Sequence, residues 1–203
     1  MRRWSLVILL TLLVALIPAS AQADRDNDLE RFAFGIGLGL VDLSDRVTAN
    51  DSSTETYITA NFRILLGDKD RKHDEHSVLA YIEPEISYWE ADNRLPVPGG
   101  TISNSQSDLM VGINIVGVIP FKKVDYFIGA GLAIHSFDVG LDINGVDLDS
   151  DETLGVNIHT GLDVHITDKF DVYGLLRLDL VEDIQEEQAK IVLGLRFRFG
   201  GDD

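Results

Sequence analysis

Three observations make this an all-β chain whose eight antiparallel strands form an up-and-down barrel. Apolar and non-apolar residues alternate with period 2 almost throughout, no window carries a helical period beyond a turn or two, and short turns alternate with long polar connections. The N-terminus stands apart. Arg2 and Arg3, an apolar run from Leu6 to Ile17 and Ala21-Gln22-Ala23 have the three-part layout of a cleaved secretory signal. Residues 1–23 are therefore expected to be removed and 24–203 to form the single mature domain, too small for two enclosed cores.

Each strand is legible in turn. In the first, Phe32, Phe34, Ile36, Leu38 and Leu40 alternate with Ala33, Gly35, Gly37 and Gly39. In the second, Ile58, Ala60, Phe62 and Ile64 oppose Tyr57, Thr59, Asn61 and Arg63. The third sets Val78, Ala80, Ile82 and Ile86 against Tyr81, Glu83, Glu85 and Ser87, and the fourth Leu109, Val111, Ile113 and Ile115 against Met110, Gly112 and Asn114. In the fifth, Tyr126, Ile128, Ala130, Leu132 and Ile134 oppose Gly129, Gly131, Ala133 and His135. The sixth places Leu154, Val156, Ile158, Leu162, Val164 and Ile166 opposite Gly155, Asn157, His159, Gly161, Asp163 and His165. The seventh has Phe170, Val172, Leu176, Leu178 and Leu180 against Asp171, Tyr173, Arg177 and Asp179. The last, KIVLGLRFRF, sets Ile191, Leu193, Leu195, Phe197 and Phe199 against Lys190, Val192, Gly194, Arg196 and Arg198.

Connections at 120–123 and 167–169 read as tight turns, and those at 42–54, 90–107, 138–152 and 181–189 as long loops. Residues 67–76 depart from this rule, with ten mostly charged residues where a short turn belongs. Pro84 cannot donate to a ladder, which predicts a bulge around Glu83-Pro84-Glu85.

Alternation alone fits either an apolar interior, as in a soluble lipocalin-like carrier, or an apolar exterior set in lipid. The second face decides between them. It is rich in glycine, which suits a narrow eight-stranded interior, and its charges have both signs. Arg63, Arg177, Arg196 and Arg198 are expected to meet Glu83, Glu85, Asp163 and Asp179 there, with Asn114, Asn157, His135, His159 and His165 filling the gaps. Phe32, Phe121, Tyr126, Phe170 and Phe199 would then make an outward girdle at the short-turn end, with Tyr88 and Trp89 as a thinner one opposite.

On the phrases YFIGAGLAIHSF, GLDVHITDKFDVYGLLRLDL and LGLRFRF, residues 30 to 199 resemble the small outer-membrane β-barrels of the OmpA- and OmpX-like, porin-family group. The resemblance implies the outer membrane of a Gram-negative envelope, contact with outer-membrane lipid and lipopolysaccharide, and insertion by the outer-membrane assembly machinery through the C-terminal strand. That strand's Phe199 is followed by Gly200-Gly201-Asp202-Asp203 rather than ending the chain.

The formal charge of −17, or −19 without Arg2 and Arg3, excludes nucleic acid as a partner. With no cysteine there is no disulfide or thiolate site. A monomer is expected, with no cofactor, metal or catalytic set. A lipid A-modifying enzyme would need His135 and Ser136 on one face, but neighbouring strand residues point to opposite faces. On the sixth strand only His165 and Asp163 are close enough to share an ion. His73-Asp74-Glu75-His76 lies in a charged turn. Asp147, Asp149 and Asp151 begin like a calcium loop but have Glu152 where the turn glycine belongs. The role expected is structural or surface interaction through acidic outer loops.

Overall fold

A computed structural model describes residues 30–43, 53–66, 78–97, 100–142, 146–147, 151–181 and 186–200. The signal-like segment, the 67–76 connection with its two histidines, and most of Asp147–Asp151 lie outside the described residues. The strands are β1 (Phe32–Leu43), β2 (Ser53–Leu66), β3 (Leu79–Val97), β4 (Gly100–Pro120) and β5 (Val124–Asp142), followed by β6 (Val146–Asp147), β7 (Asp151–His165), β8 (Phe170–Val181) and β9 (Glu186–Phe199).

All pairings are antiparallel, and the sheet closes through β1–β9 and β4–β5. Eight long strands therefore form a barrel without an open edge. The two-residue β6 pairs only with Gly140 and Leu141 of β5, beyond the last β5–β7 pair at Phe137↔Asp151.

Alternation decides the two faces. Outward lie Ile36, Leu38, Ile58, Ile113, Ile115, Leu132, Ile158, Leu178 and Leu195, all exposed. Inward, Tyr57, Trp89, Phe127, Tyr173, Arg177 and Lys190 are buried. An apolar exterior over a polar interior is the reverse of a soluble carrier. Val164 has outward parity but is buried, in register with Val124 and Val172. At the short-turn end Phe62, Phe32, Phe199, Phe197 and Phe170 form a continuous chain of rings with centroids 4.9–5.9 Å apart. Phe121 and Tyr126 lie exposed on the same rim.

Three sequence expectations need correction. No bulge forms at Pro84: the β2–β3 register is the same at Asn61↔Glu85 and Ile64↔Ile82, and only the pairs of Phe62 and Arg63 with Pro84 and Glu83 are missing. On its other side, Pro84 stays paired with Ile113. The proline leaves a gap in one ladder without adding a residue. The 90–107 loop is instead a continued hairpin, with β3 and β4 paired as far as Val97↔Gly100, and β5 likewise runs to Asp142. Polar composition hid strand pairing that continues above the barrel wall. Trp89 belongs to no girdle. It is 1 % exposed and points inward, because it shares parity with Glu83, Glu85 and Ser87.

Candidate functional site: the charged lumen

The lumen is filled in stacked layers. Nearest the short-turn end, His165 at the end of β7 lies between Asp171 of β8, 2.8 Å from Nδ1, and Asp125 of β5, 3.1 Å from Nε2. Arg198 of β9 meets Asp171 at 3.0 Å and Glu30, just ahead of β1, at 3.1 Å. A cavity of about 30 Å³, room for a water molecule, opens among Glu30, Tyr81, Asp125, Asp171, Arg196 and Arg198.

The next layer is a four-membered ion cluster. Arg63 binds Glu83 at 2.5 Å and Asp163 at 2.8 Å, Arg196 pairs with Asp163, and Glu83 lies 3.8 Å from Arg196. Phe127 stacks against both cations, with its ring centroid 4.3 Å from the Arg63 guanidinium and 5.4 Å from that of Arg196. Tyr173 lies 4.5 Å from Arg196 on another side. His159 faces Glu83 at 3.7 Å and Asn157 at 3.2 Å.

Glu85 is the hub of the middle layer. It accepts hydrogen bonds from Tyr57 (3.2 Å), Thr59 (2.9 Å), Asn114 (3.0 Å) and Arg177. Arg177 also donates to Asp179 at 2.7 Å, and Lys190 meets the other Asp179 oxygen at 2.9 Å. Asn157 donates to Asn114. Above these, Trp89 Nε1 (3.2 Å) and His135 Nδ1 (2.9 Å) converge on Asp108, and Phe137 stacks on the His135 ring at 5.7 Å.

All twelve residues expected in the lumen are buried there: Arg63, Glu83, Glu85, Asn114, His135, His159, Asp163, His165, Arg177, Asp179, Arg196 and Arg198. Their partners differ in part from expectation. Arg198 meets none of the four carboxylates anticipated for the arginines. Its partners are Asp171 and Glu30, because it sits at the mouth rather than the centre. His165 and Asp163 do not share a site, since Asp163 is occupied by Arg63 and Arg196. His135 is fully buried and bound to Asp108, while Ser136 lies on the other face, partly exposed.

Asp108, Asp125 and Phe127 were missed by sequence reasoning, although parity would have found them. Asp108 is in phase with Met110 and Asn114, and Asp125 and Phe127 with Gly129. Among the described buried side chains, seven carboxylates (Glu83, Glu85, Asp108, Asp125, Asp163, Asp171 and Asp179) face five arginine and lysine side chains (Arg63, Arg177, Lys190, Arg196 and Arg198). Each of the three luminal histidines lies against one or two of these acids.

Residues 9–197 match the family model described as the outer membrane protein beta-barrel domain. No curated protein sequence matches significantly. Among solved structures, the chain is similar to Neisserial surface protein A, at 16 % identity and a TM-score of 0.59, covering 83 % of this chain and 97 % of that one. It is also similar to the attachment invasion locus protein Ail of Yersinia pestis in complex with the heparin analogue sucrose octasulfate (13 % identity, TM-score 0.59, 84 % and 100 % covered). OprG of Pseudomonas aeruginosa aligns at 11 % identity and a TM-score of 0.56, with 88 % and 98 % covered. At such identities these similarities concern the fold alone. With the family model spanning nearly all of the closed barrel, the chain belongs to the outer membrane protein β-barrel domain family.

Proposed function

We propose that this protein is a closed, non-enzymatic barrel of the outer membrane that acts structurally and at the cell surface through its acidic outer connections. The observation that carries this reading is the filled lumen. Arg63, Glu83, Phe127, Asp163 and Arg196 span it as one cluster, and Glu85, Arg177, Asp179 and Lys190 span it as a second. Eight strands leave an interior that side chains can fill, and these do so with charges that a passing solute would have to separate.

Function then falls to the ends. The outer strand ends and connections at 42–54, 90–107, 138–152 and 181–189 hold fifteen acidic residues against Arg46 and Arg94. Such an end repels polyanions, so the sulfated ligand seen with Ail is a poor guide to its partner. Lipopolysaccharide phosphates would meet this end only through bridging divalent cations. The assembly machinery would engage β9, and the barrel would act as a monomer.

Planar-bilayer recording on the refolded protein tests the reading. No stepwise conductance above the lipid background is expected. Regular steps that persist after repurification would overturn the closed lumen. On intact cells, protease should cut the 90–107 and 138–152 segments. Resistance there, with cleavage only after the envelope is broken, would overturn the surface role.

A further inference from the structure

A carboxylate accepts hydrogen bonds and donates none, and a neutral imidazole has one donor nitrogen and one acceptor. His165 has carboxylate oxygens at hydrogen-bond distance from both ring nitrogens, Asp171 at 2.8 Å and Asp125 at 3.1 Å. A neutral ring would aim a lone pair at one of them. We infer that His165 is held as a doubly protonated imidazolium and that its proton is the catch of a clasp closing the inner mouth of the lumen. The inference rests on the closed-lumen reading for its consequence, but not for the charge state itself.

The clasp joins four strands and the segment ahead of β1. Asp125 comes from β5, His165 from β7, Asp171 from β8 and Arg198 from β9, and Arg198 carries the chain of charges on to Glu30. Asp163, two residues back on β7, is taken by Arg63 and Arg196, the Lys123 carbonyl accepts the His165 backbone N–H, and Tyr81 lines the adjoining cavity from β3. Arg198 is the permanent cation paired with Asp171, and Asp125 and Glu30 add two more carboxylates. Without the imidazolium charge, Asp125 and Asp171 flank a neutral ring that can donate to only one of them. His165 is the last residue of β7, directly before the four-residue turn to β8, and so lies at the end of the barrel rather than at its centre.

The sign follows from the charge. Cohesion contributed by the clasp is present while the imidazolium persists and is lost as rising pH removes its proton; His135, bound through one ring nitrogen to Asp108, has no such double tie.

The test is nitrogen NMR on barrel labelled in its histidine rings, assigned with His165→Gln and His135→Gln. At about pH 7, where a free imidazole is mostly neutral, the His165 ring should show both nitrogens protonated. A spectrum of the unaltered protein in which no histidine ring is doubly protonated at that pH would overturn the inference, and that outcome needs no assignment and no variant to fold. A second readout is the temperature at which the folded band converts to the unfolded one on gels, taken from about pH 6 to 9. The midpoint should fall with rising pH in the unaltered barrel and in His135→Gln, and stay flat in His165→Gln. An equal fall in His165→Gln also overturns the clasp. Conductance appearing with an intact imidazolium would instead count against the closed lumen.

Discussion

At the scale of single residues, the interior is governed by space and by charge pairing. Gly161 and Gly174 show the first. A methyl on Gly161 would run into the Gly174 carbonyl and the Phe127 ring, whereas one on Gly174 faces outward with Leu193 nearest at 3.6 Å. Gly161→Ala should therefore cost about 1–3 kcal/mol by overpacking, and Gly174→Ala should stay within about 0.5 kcal/mol of the parent. Urea midpoints of the folded band check both, and equal effects would contradict the packing. Arg177 shows the second principle. Its removal leaves Glu85 without its cation and Asp179 with Lys190 alone, so Arg177→Leu should destabilise by about 3–5 kcal/mol. Adding Glu85→Gln should recover part of that loss, because the unpaired charge disappears with it; a double variant as weak as the sum of the singles would show that the pair is not coupled.

Elements were legible wherever parity was strict. From Phe32 to Leu40 in β1 and from Lys190 to Phe199 in β9 the alternation gave every inward and outward assignment, because a strand with one face in lipid cannot slip by a residue without reversing all of them. Where strands leave the apolar band, that constraint disappears. Residues 91–97 and 100–106 pair as strands with polar sequences, so composition read them as a loop. Parity placed the twelve network residues inside, but it could not say which acid each arginine would meet, since partners such as Arg63 and Asp163 lie on strands far apart in sequence. Pro84 gives the element-scale prediction. The register around it is continuous and only the β2 ladder is interrupted, so Pro84→Val should insert a donor opposite Phe62 without shifting the strand. A gain of about 1 kcal/mol is expected in the unfolding midpoint, together with slower exchange of the amide at position 84. Loss of stability would mean that the strand needs the proline's shape there.

For the molecule as a whole, the distribution of side chains fixes how the barrel sits in its membrane. The ring chain from Phe62 through Phe32 to Phe170, together with Phe121 and Tyr126, marks the inner water interface, and Tyr88 faces outward near the other. Ile115 of β4 lies six residues before Phe121, which directly follows the end of that strand. At about 3.3 Å per residue and a tilt near 40°, that is roughly 15 Å of height, close to the middle of an apolar band about 25 Å tall. Ile115 is also among the most exposed apolar residues, at 67 %. A lysine there has no lumen to turn to and must reach through lipid. Ile115→Lys should cost about 2–4 kcal/mol in a bilayer, and Phe121→Lys, at the rim, about 0–1 kcal/mol. The same pair compared in a water-miscible detergent should differ much less, because the penalty belongs to the hydrocarbon rather than to the barrel wall. If both variants cost the same in the bilayer, the girdle does not mark the interface, and the depth assigned to every outward residue changes with it.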